Sequence, residues 1–271
     1  MVYNSAHRGA RSLAPENTMA AIEKGFQEGA HLWETDISVT RDGELVLFHD
    51  DTLERTTDAL HVFPGRESYA ISDFTLEELR QLDAGSWFVE TDPFGQIAAG
   101  RVSKEEAESF RGIQIPLLSE GLAFTVEKGW PVNLEIKTLL GSAVGFPVVD
   151  RVLEEVCASG INPKMVFFSS FDHSLIDEIK AKAPEYEIQA LLGDDGETEN
   201  NWGDFSYPVF NANHKLLTAD EIRSVVARGH RVNLYTVNDV EKMKTYMEAG
   251  VSVLITDFPQ ELHALLKAQG A

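Results

Sequence analysis

Short β-like runs that alternate with amphipathic helical segments constrain this chain more than any other feature. The runs fall at 2–6, 31–37, 132–137, 165–169, 187–191, 208–211, 231–236 and 252–256. The helical segments fall at 17–28, 120–128, 148–158, 174–181, 219–227, 240–249 and 260–268, where apolar residues recur at helical spacing. Several end on glycine, at Gly29, Gly129, Gly160, Gly229 and Gly250, the residue that most readily takes the left-handed turn after a helix. Strands joined through helices pair in parallel, because a crossover of that length is what links parallel neighbours. The count approaches eight units in 271 residues, which predicts a (β/α)8 barrel in a single domain, 1–271. The fifth and sixth units are the weakest, and 194–204, acidic and rich in Gly and Asn, reads as an exposed loop.

One stretch breaks the rhythm. Between His49 and Pro131 a barrel needs one helix, yet about eighty positions are present. A short strand is predicted at 44–48, after the Asp42-Gly43 turn, and a small helix at 75–82, opened by a capping box of Thr75 with Glu78. Residues 83–110 show no clear period and carry Trp87, Phe88 and Phe94. Approximately residues 51–117 therefore read as an insertion over the catalytic face, either a place for substrate selectivity or an inert decoration.

The chemistry-bearing residues sit at the ends of the predicted strands, where α/β folds collect their sites. His7 and His49 each follow an apolar stretch and can donate and accept protons near neutral pH. Glu34 and Asp36 are two apart on a strand, so both point to one side, which in a barrel is inward. Glu135 and Lys137 repeat that spacing, bringing a third carboxylate and a cation to the same mouth. Inward carboxylates are too costly to desolvate unless they are paired or hold a cation. Each pair alone could be a surface ion pair; together with two histidines they point to a site. Three carboxylates suit Mg²⁺ or Ca²⁺ better than Zn²⁺, because no Cys/His cluster has zinc spacing. Arg8 is a fixed cation suited to an oxyanion. The combination suggests metal-assisted chemistry on a phosphate ester.

Charge narrows the partners. There are 23 Lys+Arg against 44 Asp+Glu, a net charge of −21, which excludes nucleic acid and disfavours an anionic membrane surface. No apolar run is long enough to cross a bilayer and the first residues show no secretory leader, so the cytoplasm is the expected location. The single cysteine, Cys157, lies among helically spaced valines and is expected to be buried and structural. His31, His61, His173, His214, His230 and His263 have no chemical company and read as surface or packing residues. Phe167 is expected in the core, and Phe171, just past a strand end, in a pocket.

Certain segments also occur in a recognisable order: His7-Arg8-Gly9, Pro15-Glu16-Asn17-Thr18, Glu34-Thr35-Asp36, Thr40-Arg41-Asp42-Gly43, and Val46 through Asp50 running on to Leu53-Glu54-Arg55-Thr56-Thr57. Ile115-Pro116, Leu134-Glu135-Ile136-Lys137, Ser169-Ser170-Phe171, Thr236-Val237-Asn238 and Thr256-Asp257-Phe258-Pro259 follow. In this order they resemble the glycerophosphodiester phosphodiesterase family over nearly the whole chain; the first cluster is specific and the later ones are individually weak. The resemblance implies a TIM barrel with an insertion after the second strand. It implies that Glu34, Asp36 and Glu135 bind one divalent ion, Mg²⁺ or Ca²⁺, and that His7 and His49 are general acid and base. Arg8 and Lys137 would hold phosphate oxygens, and Glu16 would orient the site through Arg8 or the metal shell. Phe171 would face the glycerol or the departing alcohol. Tyr235 stands where the family often has Trp, keeping an aromatic wall and adding a hydroxyl. The implied reaction is hydrolysis of small glycerophosphodiesters, such as glycerophosphocholine or glycerophosphoethanolamine, to glycerol 3-phosphate and an alcohol, by a monomer or homodimer. Two alternatives stand beside it. A lysophospholipase D would need an apolar groove, which Trp87, Phe88 and Phe94 could supply; the other is a non-catalytic phosphodiester-binding barrel.

Overall fold

Strand β1 (Tyr3–Ala6) pairs in parallel with β2 (Leu32–Val39) on one side and with the last strand, β9 (Val253–Thr256), on the other, so the sheet closes on itself. The computed structural model describes residues 2–194 and 196–270. Between β2 and β9 the ring continues through β4 (Val132–Ile136), β5 (Val166–Ser170), β6 (Glu187–Leu192), β7 (Val209–Asn213) and β8 (Arg231–Tyr235), every neighbour parallel. The ring is thus an eight-stranded parallel barrel. One short strand, β3 (Leu45–Leu47), lies outside it, antiparallel on β2.

Helices cover the outside. Met19–Gln27, Leu118–Lys128, Val148–Ala158, His173–Lys182, Ala219–Ala227, Val240–Ala249 and Pro259–Ala268 each follow a barrel strand. Their apolar faces bury against outward residues of the strands, such as Trp33, Ile37, Val132, Leu134 and Phe168. The indole of Trp33 stacks on Trp130 at 6.1 Å, and Trp33 Nε1–H donates to Thr125 Oγ1 at 3.0 Å, so this large ring is buried with its polar atom satisfied. Between β6 and β7 the described residues form no helix. There the loop instead packs Trp202, Phe205 and Tyr207 around Phe210, as the weak pattern of that unit anticipated; Asp195 of the predicted 194–204 loop lies outside the described residues.

Two expectations about single residues fail for reasons of angle. Cys157 is exposed, not buried. Val148, Val149, Val152 and Val156 form the buried face of its helix, and a residue one step past Val156 is turned about 100° away from it. Phe167 is half-buried at the base of the barrel, and its neighbour Phe168 is the fully buried core residue, because alternation sends successive strand side chains to opposite faces.

The long stretch after β3 folds as short helices, Ala59–Val62, Leu76–Leu79, Ser86–Thr91 and Lys104–Ser109. The capping box of Thr75 and Glu78 forms as predicted, though the helix it opens is shorter than expected. The insertion has an apolar centre of its own around Phe74, Leu79 and Leu82. A second apolar cluster joins Phe88, Val102 and Phe110 to Ala10, Leu13 and Ala21, which follow β1. The insertion is thereby fastened to the loop that carries His7 and Arg8. No helix of the described residues is long and apolar enough to cross a membrane.

Candidate active site

The carboxyl ends of the barrel strands open into a cavity of about 210 Å³ whose lining includes His7, Arg8, Glu34, His49, Glu135, Phe171 and Tyr235. Asn133, Ser169 and Asn211 line it as well, so the barrel interior beneath the site is polar where an aliphatic layer is usual.

Backbone geometry explains the His7-Arg8-Gly9 sequence. Arg8 takes a left-handed conformation (φ 53°) and Gly9 follows at φ 75°. A side chain at Gly9 would meet the backbone of Ala21 at 2.5–2.6 Å, so only glycine permits the turn. The turn aims Arg8 N–H at Glu34 Oε2, 3.0 Å away, and sends the guanidinium back toward Glu16 Oε1, 2.7 Å away. A non-glycine residue held in this region is strained, and such strain persists where surrounding bonds over-determine it.

Glu34 and Asp36 project inward from β2, and Glu135 of β4 lies in register with Asp36. Ligand oxygens of these three residues lie within 4.8 Å of one another. Asp36 is surrounded by donors: Asn17 Nδ2–H at 2.9 Å, Arg8 Nε at 3.3 Å and Lys137 Nζ at 3.1 Å. Despite burial, Lys137 and Arg8 hold its carboxyl well below the usual range. Glu34 and Glu135 behave oppositely. Burial, with the charge of Asp36 added, pushes Glu135 up to about 7 and Glu34 well above its ordinary value. A buried and a half-buried carboxylate that both resist ionisation mark a place short of positive charge. A cluster of hard oxygen donors with that deficit fits a divalent cation of the Mg²⁺ or Ca²⁺ kind.

Each histidine is oriented by its own carboxylate. His7 Nδ1 lies 2.6 Å from Asp257 Oδ1, and His49 Nδ1 lies 2.6 Å from Asp50 Oδ1. Charges and hydrogen bonds overcome burial to keep both carboxyls ionised: His7 and Arg11 hold Asp257 at about 2, and His49 and Arg55 hold Asp50 below its ordinary range. An ionised carboxylate only accepts, so each ring donates Nδ1–H and leaves Nε2 for chemistry. Burial, more than Asp257 can offset, lowers His7 to about 4. His7 Nε2 lies 3.9 Å from Glu34 Oε2.

Not every expected residue faces the cavity. Lys137 sits behind Asp36 and donates its Nζ–H to the carbonyl of His49 at 2.7 Å. Glu16 lies behind Arg8, accepts hydrogen bonds from Arg8 and Arg55 at 2.7 and 2.6 Å, and pairs with Arg11 at 3.1 Å. Their charges and the Arg55 hydrogen bond outweigh burial and hold Glu16 at about 2. Tyr235 donates its hydroxyl to the carbonyls of Leu192, at 2.6 Å, and Gly193, at 3.1 Å; its ring meets Phe171 edge to face at 6.0 Å. Trp87, Phe88 and Phe94 do not line the cavity: Phe88 is fully buried within the insertion, and the other two pack beside arginines.

Asp257, Asp50, Asn17, Arg11 and Arg55 were not anticipated as site residues. All but Arg11 stand inside the motif segments quoted above, so the motifs held the signal but not the roles. Asn17 is the clearest case. It was expected within a helix, but it precedes the cap Thr18 in a left-handed conformation (φ 54°), which frees its amide to bond both Asp36 and Thr35.

A barrel whose mouth joins two carboxylate-oriented histidines, an arginine and a cluster of three carboxylates has the groups for acid–base chemistry on an anionic ester. Comparison with known proteins narrows the class. The profile of the glycerophosphoryl diester phosphodiesterase family matches residues 7–261, and the chain belongs to this family. A glycerophosphodiester phosphodiesterase of Caldanaerobacter subterraneus subsp. tengcongensis is 30% identical over 269 residues, covering 98% of each chain. The uncharacterized protein YqiK of Bacillus subtilis is 30% identical over 266 residues, covering 97% of each. Among solved structures, a putative glycerophosphoryl diester phosphodiesterase of Silicibacter pomeroyi superposes with a TM-score of 0.80 at 25% identity, over 100% of this chain and 94% of that one. A phosphodiesterase of Oleispira antarctica, solved with its product sn-glycerol-3-phosphate, shares the fold with a TM-score of 0.73 at 24% identity, over 98% of this chain and 96% of that one. The chain is accordingly an enzyme, a phosphoric diester hydrolase, as the resemblance in its sequence implied.

Proposed function

We propose that this enzyme hydrolyses small glycerophosphodiesters, with glycerophosphocholine and glycerophosphoethanolamine as candidate substrates, to glycerol 3-phosphate and the free alcohol. Glu34, Asp36 and Glu135 would hold one divalent ion, Mg²⁺ or Ca²⁺, which when bound supplies Lewis-acid charge to the phosphoryl group. The observation that carries the reading is that His7 and His49 line one cavity with their Nδ1 atoms already engaged by Asp257 and Asp50. Both rings thus present Nε2 to a bound diester.

One histidine takes the proton from the nucleophile, either water or the glycerol 2-hydroxyl in a route through a cyclic phosphate. The other gives a proton to the oxygen of the departing alcohol as the P–O bond breaks. Arg8 faces the same cavity, and its guanidinium, fixed between Glu16 and Asp36, puts a permanent positive charge beside the phosphoryl group. Lys137 adds charge from behind Asp36. The Phe171–Tyr235 wall packs against the apolar edge of the glycerol or of the departing alcohol. Wild-type enzyme with Mg²⁺ or Ca²⁺ should release glycerol 3-phosphate, and excess EDTA should stop it. His49→Ala should lose roughly 10²–10⁴-fold in rate, the usual contribution of one general acid or base. Undiminished release in EDTA would remove the metal from the reading, and undiminished release by His49→Ala would remove the histidine pair. A lysolipid substrate loses its main support, because the three aromatics that could have made an apolar groove are packed elsewhere.

A further inference from the structure

Two chains of ion pairs leave the histidines and meet on one residue. From His49, Asp50 is gripped by Arg55, whose Nε and Nη2 lie 2.6 and 2.8 Å from its two oxygens. The same guanidinium reaches Glu16 at 2.6 and 3.1 Å. From His7, Asp257 lies 3.6 Å from Arg11 Nε, and Arg11 Nη2 lies 3.1 Å from Glu16. Glu16 is therefore the common anchor of both histidine–carboxylate pairs. The ligand-type grouping of Glu16, His49 and Asp50 already has its cation, since Arg55 fills the space between the two carboxylates.

Each of the two arginines is covered by an aromatic ring of the insertion. Arg55 lies over Trp87 at 5.8 Å from the ring centre, and Arg11 lies over Phe94 at 5.3 Å. Both rings are themselves fixed. Trp87 meets the buried Phe88 edge to face at 5.9 Å and donates Nε1–H to the carbonyl of Ala84 at 3.0 Å. Phe94 meets Phe258, the neighbour of Asp257, at 5.6 Å. An arginine held on an aromatic face and forked onto carboxylates has little freedom left, and its planar fork transmits that order to both partners.

We propose that the insertion positions the two histidines: Trp87 clamps Arg55 for His49, Phe94 clamps Arg11 for His7, and Glu16 ties the two halves together. None of these five lines the cavity, so they are positioning residues. The inference rests on the proposed acid–base role of the histidines, and its NMR readout below does not depend on that role. Misplacing a reacting group by about an ångström can cost on the order of 10²-fold, and losing an outer partner typically costs about 10–100-fold.

The decisive experiment is a set of double-mutant cycles with the full chain. Trp87→Ala should lower kcat roughly tenfold or more with little change in KM. Its loss should be non-additive with Asp50→Asn and additive with Asp257→Asn. Phe94→Ala should show the reverse pattern, and Glu16→Gln should couple to both. Trp87→Phe, which keeps a ring under Arg55, should recover most of the rate, which separates the clamp from a general loss of packing. Effects confined to KM, or full additivity in every cycle, would overturn the proposal. Proton NMR gives a readout independent of turnover: the Nδ1–H resonance of His49, assigned by its absence in His49→Ala, should broaden or vanish in Trp87→Ala and persist in Phe94→Ala. A sharp, unshifted resonance in Trp87→Ala would sink the clamp even if the enzyme hydrolyses glycerophosphodiesters as proposed. An active His49→Ala with the NMR pattern intact would sink the acid–base reading and leave the clamp standing.

Discussion

Two groups of buried and half-buried carboxylates lie side by side at the mouth of this barrel, and they ionise in opposite senses. Around Glu16, Asp50 and Asp257 the partners are covalent parts of the chain: Arg55, Arg8 and Arg11 draw Glu16 below its ordinary range, His49 with Arg55 draws Asp50 down, and His7 with Arg11 draws Asp257 down. Around Glu34 and Glu135 the chain supplies too little positive charge, and burial raises both. Both groups face the same cost of burying charge. One offsets it permanently with guanidinium groups and becomes a scaffold. The other leaves it unmet by the chain's own residues, which is why it is the group proposed to hold a divalent ion.

The strongest way to break this contrast is to remove one acid from each group. Glu135→Gln should cost well over about 10²-fold in kcat/KM, more than an outer partner usually costs, while the metal-free protein melts no lower than wild type because a repulsion is gone. Glu16→Gln should lower the melting temperature with or without the ion, because it leaves three arginines short of their acceptor. Calorimetry of both variants checks this, and equal behaviour would erase the distinction. The ion itself should stabilise wild type by about 2.7 kcal/mol at a hundred times its Kd, and Glu135→Gln much less.

The pH dependence of stability sharpens the same contrast. Glu135 has a folded value of about 7 against an ordinary 4.5, so the folded state holds a proton that the unfolded state releases. Metal-free stability should therefore fall as pH rises from 4.5 through about 7. His7, lowered from 6.5 to about 4, works the other way, and its contribution is complete above 6.5. The fall should show most cleanly above pH 6.5 and should disappear with the ion bound. On the acid side, Glu16 and Asp257, both at about 2, contribute stability above their unfolded values that is lost as pH falls toward 2. Urea titrations across pH with EDTA and with Mg²⁺ measure both limbs, and metal-free stability that rises above neutral pH would contradict the charge deficit.

Smaller effects test the periphery. Tyr235→Phe removes the hydroxyl that bonds two carbonyls at the turn after β6 and should cost about 1 kcal/mol in stability, with a modest rise in KM. Cys157→Ser, at an exposed helix position, should stay within about 0.5 kcal/mol of wild type and leave the rate unchanged. A larger loss at Cys157 would place that thiol in the core after all.

Much of the fold was legible because its signals are local. Alternating periods announced the barrel, terminal glycines marked helix ends, and the capping box at Thr75 formed where its residues required. The pairs Glu34/Asp36 and Glu135/Lys137 were readable as one-sided because strand geometry has a period of two. Errors came where a one-residue rotation decides burial, as at Cys157 and Phe167, since periodic patterns locate a face only to within a residue. His7, His49, Arg8 and the three carboxylates, which stand in dense motifs, are brought together at one mouth of the barrel. The partners of these residues were not legible in the sequence. Asp257 reaches His7 across 250 positions, and Lys137 reaches the His49 carbonyl across 88.

By itself, then, the sequence determined the class of fold, the family and the candidates proposed here for acid–base and metal chemistry. Each of these depends on residue types at short, regular spacing, which the chain carries wherever it folds. The tertiary structure decided which carboxylates are neutralised and which remain short of charge. It also turned the insertion's aromatics, which the sequence offered as a lipid groove, into covers for Arg11 and Arg55. Ionisation and packing of this kind are set by separations of a few ångströms between distant segments, and no local pattern encodes those.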